Sequence, residues 1–218
     1  FEYTLYSLGN KSDTSPDLYL SYYKELVSNY PGYKKVFTDG SKKGSAVSAA
    51  AVVKGSVLVS RLPNHASIFS AESRAVLLAL NIIEQSSCKS FLILSDSLSC
   101  LKAIENRKVQ NPLILEILEF LHQLVRLNYC ITFVWVPSHI GIAGNTAADA
   151  TAKAALCLQV SNSKVPYSDF KPLITVHANR KWQELWDTEI NNKLHGIEPM
   201  IKSASLCKLP LRDEVINH

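Results

Sequence analysis

Residues 34–62 read KKVFTDGSKKGSAVSAAAVVKGSVLVSRL. Three runs that we predict as strands lie in this stretch, at 34–39, 46–54 and 56–62. The last two runs meet at Lys54-Gly55, a pair that suits a tight hairpin turn. Short runs with β-branched residues, separated by glycine turns, are typical of consecutive antiparallel strands. The stretch therefore predicts three antiparallel strands at the start of a sheet.

Beyond residue 62 the sequence alternates helical and strand patterns. We predict helices where apolar residues recur three and four positions apart, and strands where short apolar runs end at turn residues. In chain order these are a helix at 70–85, a strand at 90–95, helices at 97–105 and after Asn111-Pro112, a strand at 130–136 and a helix at 144–156. Helices between the later strands favour parallel pairing. We therefore expect an α/β fold with a mixed five-stranded sheet, three antiparallel strands and then parallel strands, flanked by helices.

The two flanks of this pattern differ from it in composition. Residues 1–33 carry scattered tyrosines and a short helical pattern at 21–30, and we interpret them as an N-terminal linker or extension. Residues 34–158 form the predicted main domain. Residues 159–218 turn polar and then contain a helix with Trp182, so we interpret them as a C-terminal extension. Because the chain begins at Phe1 without an initiator methionine, we expect it to be part of a longer protein.

Composition is typical of ordinary globular proteins. The 218 residues are 47% hydrophobic and 19% charged, and the formal net charge of +4 permits contact with a phosphate backbone. No apolar run is long enough to cross a bilayer, and the first residues lack the order of a secretion signal. The five cysteines include no pair spaced for a metal knuckle, which favours free thiols. We therefore expect an intracellular, reducing compartment, no membrane contact and a monomer.

Four acidic residues stand where the predicted elements bring side chains together. Asp39 and Asp96 each end a predicted strand. Glu72 shares the apolar face of its helix, and Asp149 points toward the packing side of the last helix. Taken singly, each acid has a simpler interpretation: a turn aspartate for Asp39, a helix cap for Asp96, and solvent-exposed first-turn acids for the other two.

The combination of these four carboxylates favours a metal site. Carboxylates gathered in one place repel one another and take up protons unless divalent cations bind between them. Oxygen ligands select Mg²⁺ or Mn²⁺, with water and a substrate phosphate completing the octahedron. Two such ions activate a water and stabilise the leaving oxygen of a phosphodiester. The pattern therefore predicts two bound ions and phosphodiester chemistry.

Four motifs resemble those of one known family. They are Thr38-Asp39-Gly40-Ser41, then Ala71-Glu72, then Ser95-Asp96-Ser97, and finally Trp135-Val136-Pro137-Ser138-His139-Ile140-Gly141 followed by Gly144, Asn145 and Asp149. With these motifs in this order, about residues 34–157 resemble the ribonuclease H domain of the type 1 class. The amino-acid sequences of the motifs are most similar to those in arthropod non-LTR retrotransposon polyproteins. This similarity implies a covalently linked reverse transcriptase upstream.

The resemblance implies an endoribonuclease that hydrolyses the RNA strand of RNA–DNA hybrids. It implies that Asp39, Glu72, Asp96 and Asp149 hold two Mg²⁺ or Mn²⁺ ions. It also implies that His139, in a loop that glycines allow to move, assists proton movement or product departure. Contact with the nucleic acid is implied for a further set of residues: Gly40, Ser41, His65, Ser67, Ser97 and Asn145.

The sequence is also compatible with two alternative functions. Some domains of this fold have lost their chemistry and serve as nucleic-acid-binding spacers. A related nuclease of the integrase or resolvase type would cut DNA alone. The complete set of four acids with His139 favours a ribonuclease over a silent spacer. The initial hairpin and the His139 loop favour it over a DNA nuclease.

Overall fold

The structure, a computed structural model, describes residues 1–9, 14–106, 110–189 and 191–201. The chain divides into two units, Phe1–Asp169 and Phe170–His218. Residues 10–13 of the expected N-terminal extension and 202–218 of the expected C-terminal extension lie outside the described residues. In chain order, the first unit contains α1 (Pro16–Ser28), β1 (Lys34–Lys43), β2 (Ala46–Val53), β3 (Ser56–Leu62), α2 (Ile68–Glu84), β4 (Ser90–Ser95), α3 (Leu98–Glu105), α4 (Pro112–Arg126), β5 (Cys130–Trp135) and α5 (Ala143–Ala155).

The strands of the first unit form one sheet in the order β3-β2-β1-β4-β5. β2 pairs antiparallel with β1 and with β3, whereas β4 pairs parallel with β1 and with β5. Helices make the connections into the parallel strands, because a tight turn cannot join two parallel neighbours. The expected α/β fold, a mixed five-stranded sheet flanked by helices, is confirmed.

The central strand β4 is buried on both faces of the sheet. Phe91 and Ile93 pack into a cluster that includes side chains of α2, α3 and α4. Leu92 and Leu94 pack on the other face, with side chains of α1 and α5. Because side chains alternate between the faces of a strand, an uninterrupted apolar strand needs helices on both sides. The two helical layers provide that cover.

Side-chain caps decide where two of the helices begin. Asn111 accepts a hydrogen bond from the Leu113 backbone, and Pro112 takes the first helical position, as the sequence predicts. α2 begins two residues before its predicted start at residue 70, because Ser67 caps it by accepting a hydrogen bond from the Ser70 backbone. Helical periodicity alone does not reveal such a cap, since the cap residue lies outside the apolar stripe.

The N-terminal segment, expected to be a linker or extension, packs on the sheet. The Glu2 backbone donates to the Phe133 carbonyl at 2.7 Å and accepts from the Trp135 amide at 3.0 Å, so the first residues run beside β5. Leu5 and Tyr19 are buried on the face of the sheet that α5 covers. These contacts make the segment part of the fold rather than a free linker. The sequence does not reveal them, because the partners are far apart along the chain.

Residues 159–169, which we call the strap, also belong to the first unit. Ser161 donates from its backbone amide and from its hydroxyl to the Arg61 carbonyl of β3, at 2.7 and 2.8 Å. The division expected after residue 158 therefore falls after Asp169 in the structure. As functional limits, the expected domains 34–158 and 159–218 stay predictions.

The second unit contains α6 (Lys171–Trp186) and α7 (Lys193–Ile197). α6 is the expected tryptophan-bearing helix. The Trp186 indole donates to the Glu198 carbonyl at 3.0 Å, and the Gln183 amide donates to the Pro199 carbonyl at 2.8 Å. The residues after α7 therefore fold back along α6, whereas Trp182 remains exposed.

The free thiols expected from the cysteine spacing are found in the described part of the chain. Cys88, Cys100, Cys130 and Cys157 are free thiols, and Cys207 lies outside the described residues. Within the described ranges, none of the helices combines the length and the apolar character that a membrane span requires. The reducing compartment stays a prediction.

Close packing of α5 on β1 generates a prediction about stability. A Cβ added to Gly144 would overlap the ring of Phe37. We expect Gly144→Ala to lower the free energy of unfolding by about 1–3 kcal/mol, because overpacking displaces side chains and backbone. Urea denaturation measures the change. Gly196→Ala is the matched control, since an added Cβ there meets no atom within 4 Å. Equal stability of Gly144→Ala and the wild type would contradict the close packing.

Candidate metal centre

Asp39 lies within β1, where the strand separates from its parallel neighbour. The parallel pairing of β1 with β4 ends at Thr38 and Ser95, whereas the antiparallel pairing with β2 continues to Lys43. The expectation that Asp39 ends its strand is therefore wrong, because Gly40 continues the ladder instead of turning. The simpler interpretation of Asp39 as a turn aspartate is wrong for the same reason. Asp39 is therefore the first residue of β1 beyond its pairing with β4.

Asp96 follows β4 directly and is held by two neighbours. The Trp135 indole donates to its carbonyl at 3.1 Å, and the Asn145 amide donates to its carboxylate at 3.5 Å. Ser97, not Asp96, occupies the N-cap position of α3. The helix-cap interpretation of Asp96 is therefore wrong, and its carboxylate is available for other contacts.

Glu72 enters the site from α2, which packs directly on β1. Only 8% of its surface is exposed, so the interpretation as a solvated first-turn acid is wrong. The Gly40 backbone amide donates a hydrogen bond to the Glu72 carboxylate. A Cβ on Gly40 would lie 2.7 Å from the Glu72 backbone nitrogen and 2.9 Å from the Ala71 Cβ. Glycine at position 40 therefore permits the approach that brings Glu72 to Asp39.

Three of the four predicted ligands converge. One carboxylate oxygen from each of Asp39, Glu72 and Asp96 lies within 4.8 Å of the other two. Glu72 Oε2 is buried and has no hydrogen-bond partner in the described part of the chain. Hard oxygen donors at this spacing, one of them unsatisfied, fit a Mg²⁺ or Mn²⁺ ion. These three residues can hold such an ion between them.

The environment of this group favours protons when no cation is bound. Burial, together with the nearby Asp96 and Asp149, raises the pKa of Asp39 to about 7. Burial, with Asp39 and Asp96 nearby, raises the pKa of Glu72 well above its ordinary value. Burial also raises the pKa of Asp96, although the Asn145 hydrogen bond opposes that rise. A divalent cation would reverse these preferences by stabilising the ionised carboxylates.

Asp149 lies beside the three converging carboxylates but turns to another partner. It is close enough to raise the pKa values of Asp39 and Asp96. Its carboxylate accepts a hydrogen bond from the Lys153 ammonium at 2.7 Å, one turn further along α5. The structure therefore brings three predicted ligands together and leaves the fourth at their edge, paired with a lysine.

His139 occupies the turn between β5 and α5. It is exposed, and its φ of 55° is unusual for a residue with a side chain. Gly141, two residues later, has a φ of 88°. His139 is close enough to Asp96 to lower the pKa of that carboxyl. The structure therefore puts His139 near the carboxylates, and its role in proton movement stays a prediction.

Four of the six predicted nucleic-acid contacts adjoin the carboxylates. Gly40 and Ser41 continue β1 beyond Asp39, and Ser41 is 9% exposed. Ser97 is the N-cap of α3 and follows Asp96, and the buried Asn145 donates to the Asp96 carboxylate. Gly40 and Asn145 also donate hydrogen bonds to carboxylates of the site. Their positions therefore have a structural role that does not depend on contact with a nucleic acid.

The other two predicted contacts, His65 and Ser67, lie between β3 and α2. The Ser67 hydroxyl is engaged in capping α2 through Ser70. The Ser67 backbone amide donates to a carboxylate oxygen of Asp169 at 3.0 Å. Contact of these residues with a nucleic acid stays a prediction.

Sequence reasoning missed two charged residues near the site, Lys153 and Asp169. The spacing of Asp149 and Lys153, four positions apart on a helix, is a visible signal for their ion pair. Asp169 gives no comparable signal, because its partners are about a hundred positions away in sequence. Only the folded strap brings it to α2.

The chain was compared with protein-family models and with curated proteins. A family model described as RNase H matches residues 32–157, more than half of the chain. The matched region contains the four carboxylates and His139. A search of the curated proteins gave no match.

The raised carboxyl pKa values predict how stability depends on pH. Without metal, the folded protein keeps a proton on Asp39 up to about pH 7, whereas the ordinary pKa is 3.8. The stability from this proton is complete below about pH 4 and lost as pH rises through 7. We expect the free energy of unfolding in EDTA to fall over that range, by up to about 4 kcal/mol from Asp39. Urea denaturation at a series of pH values measures this fall.

Other carboxyl groups also titrate in this range, so a matched variant is needed. Asp39→Asn carries no titratable group at position 39, and its stability should decline less with pH than that of the wild type. Saturating Mg²⁺ should also flatten the wild-type profile, because the cation replaces the protons. Identical slopes for the variant and the wild type in EDTA would argue against a perturbed Asp39.

Proposed function

Because the chain belongs to the ribonuclease H family, we propose that it is an endoribonuclease that hydrolyses the RNA strand of RNA–DNA hybrids with two Mg²⁺ or Mn²⁺ ions. The observation that carries the proposal is the convergence of Asp39, Glu72 and Asp96 within 4.8 Å. The unsatisfied Glu72 Oε2 supports it, since a buried acceptor without a donor is suited to a cation. A three-carboxylate cluster without an ion has no evident structural benefit.

Each residue has a defined part in the proposed reaction. Asp39, Glu72 and Asp96 would hold the cations, with Asp149 contributing from the edge. Bound divalent cations supply an activated water and stabilise the leaving oxygen of the phosphodiester. The Gly40 amide and the Asn145 amide orient two of the ligands.

Two further residues handle charge and protons in this scheme. Lys153 forms an ion pair with the Asp149 carboxylate, and it would have to release that carboxylate for Asp149 to contribute to holding a cation. His139, exposed at the turn before α5, would exchange a proton with the leaving group or assist product departure.

The proposed substrate is defined by its sugar and backbone rather than its bases. Contacts with the RNA 2′-hydroxyl distinguish a hybrid from duplex DNA. The predicted contact set of Gly40, Ser41, His65, Ser67, Ser97 and Asn145 consists of small or polar residues with few groups suited to reading base edges. We therefore propose low sequence preference, with products that carry 5′-phosphate and 3′-hydroxyl ends.

We further propose that the chain is part of an arthropod-type non-LTR retrotransposon polyprotein with a linked reverse transcriptase. The similarity of the four motifs to those of such polyproteins supports this proposal. Determining the coding sequence upstream of Phe1 tests it, and an unrelated upstream sequence would remove this part of the proposal alone. A monomeric state and an intracellular, reducing compartment are also proposals, the latter supported by the free thiols.

Replacement of Asp39 tests the chemistry. We expect Asp39→Asn to abolish cleavage of a labelled RNA–DNA hybrid in Mg²⁺ while the fold remains intact, because the variant loses a ligand charge. A gel assay measures cleavage, and circular dichroism checks the fold. Asp17→Asn is the matched control, since Asp17 is an exposed acid on α1. Normal turnover by Asp39→Asn would contradict the scheme.

The same assay separates the alternatives. A silent nucleic-acid-binding spacer would retain the hybrid without cutting it, even when wild type. A DNA nuclease of this fold would cut duplex DNA and leave the hybrid intact. The proposed ribonuclease cuts the RNA strand of the hybrid and leaves duplex DNA intact.

His139 generates a separate prediction. We expect His139→Ala to lower kcat by about a hundred-fold, the smaller end of what positioned proton transfer contributes. Mn²⁺ affinity should not change, because His139 is outside the carboxylate group. Single-turnover and steady-state cleavage of the hybrid measure the effect. His122→Ala, an exposed position on α4, is the control. An unchanged kcat would leave His139 as an ordinary loop residue.

A further inference from the structure

Asp169 is a buried carboxylate that the proposed reaction does not use. Only 8% of its surface is exposed. One of its oxygens accepts hydrogen bonds from the Ser67 backbone amide at 3.0 Å and from the Ser70 hydroxyl at 2.6 Å. Both donors belong to the start of α2, and Ser70 is itself fully buried. A buried charge with two donors on one helical turn is held firmly against that turn.

The N-terminus of α2 needs a negative group that its own sequence does not provide. Its first turn contains no acidic residue. The first amides of a helix lack partners within the helix, and its dipole favours a negative charge there. Asp169 meets both needs from outside the helix, in addition to the Ser67 side-chain cap.

The strap that carries Asp169 is attached to the same helix at a second point. The Arg74 guanidinium, on α2, donates to the Lys164 carbonyl at 3.3 Å. Val165 packs on the cluster that contains Ala71 and Ala75 of α2. The attachments of the strap to α2 therefore lie on both sides of Glu72 in sequence.

The position of this helical turn determines where the Glu72 carboxylate lies. A Cβ on Gly40 would be 3.0 Å or less from Ala71 atoms and from the Glu72 backbone nitrogen, so α2 and β1 are in direct backbone contact here. A small shift or rotation of the first turn would move Glu72 relative to Asp39. Metal ligands depend on such supporting contacts for their geometry.

We propose that Asp169 is a positioning residue for the metal centre: it fixes the first turn of α2 and thereby holds Glu72 where it shares a cation with Asp39 and Asp96. This inference rests on the proposed function. It extends the functional unit through the strap, beyond residue 157, where the family match ends. Asp169 would act on the metal centre only by positioning Glu72, and it would not itself be a ligand of the cation.

The test is a Mn²⁺ titration of the full chain without substrate, followed by electron paramagnetic resonance of the free ion. We expect Asp169→Ala to bind Mn²⁺ about ten-fold more weakly, the smaller end of the effect of removing a supporting contact. Asp169→Asn, which keeps an acceptor oxygen, should lie closer to the wild type. Glu119→Gln removes one exposed negative charge on α4 and should not change the affinity.

Cleavage kinetics provide a second measurement. With limiting Mn²⁺, Asp169→Ala should lower kcat while KM for the hybrid stays unchanged. Excess Mn²⁺ should restore kcat, because the carboxylates themselves are intact. If the wild-type chain fails to cleave the hybrid, the proposed function fails, and the Mn²⁺ titration still decides the role of Asp169.

Two outcomes would overturn the inference. A lower Tm for Asp169→Ala with unchanged Mn²⁺ affinity would mean that Asp169 only stabilises the N-terminus of α2. Tighter hybrid binding with unchanged Mn²⁺ affinity would mean that the strap competes with the nucleic acid.

If Asp169→Ala does not fold, Ser70→Ala removes one of the two hydrogen bonds and should weaken Mn²⁺ binding in the same direction. Unchanged Mn²⁺ affinity in Ser70→Ala and Asp169→Asn would then overturn it.

Discussion

Three carboxylates with oxygens within 4.8 Å of one another, those of Asp39 and Glu72 on buried residues, repel one another unless a cation is shared between them. β1, α2 and the end of β4 bring these groups into that arrangement. Burial and mutual repulsion raise the pKa values of Asp39, Glu72 and Asp96, so the metal-free site holds protons. The same repulsion would be relieved by a divalent cation between the carboxylates. The raised pKa values, the expected dependence of stability on pH and the proposed affinity for a cation therefore have one electrostatic cause.

The sheet determines where the Asp39 carboxylate lies. The pairing of β1 with β4 ends at Thr38 while its pairing with β2 continues, so Asp39 is the first residue beyond the parallel ladder. Two glycines allow helices to approach from opposite faces. Gly40 admits the start of α2, and Gly144 admits the start of α5 against Phe37. Side chains at these positions would push the helices outward and separate the carboxylates they carry.

Segments outside the predicted domain complete the unit. The N-terminal residues run beside β5, and the strap connects β3 to the start of α2. Each segment provides hydrogen-bond partners for groups that have none of these contacts within residues 34–158. Asp169 is the clearest case, because α2 has no acid of its own in its first turn. A domain limit drawn from motifs alone therefore omits residues that the fold uses.

Local signals in the sequence were sufficient to predict the sheet, the helices and the four acids. Alternation and helical spacing are properties of neighbouring residues, so strands such as β3 and β4 are predicted at their observed limits. Contacts between distant residues required the tertiary structure. Only the fold reveals that Asp39 lies within β1, that Asp149 pairs with Lys153 at the edge of the group, and that Asp169 reaches Ser67 from 102 positions away. The burial and the charge of the site depend on which distant segments contact one another. Local sequence patterns do not predict those contacts.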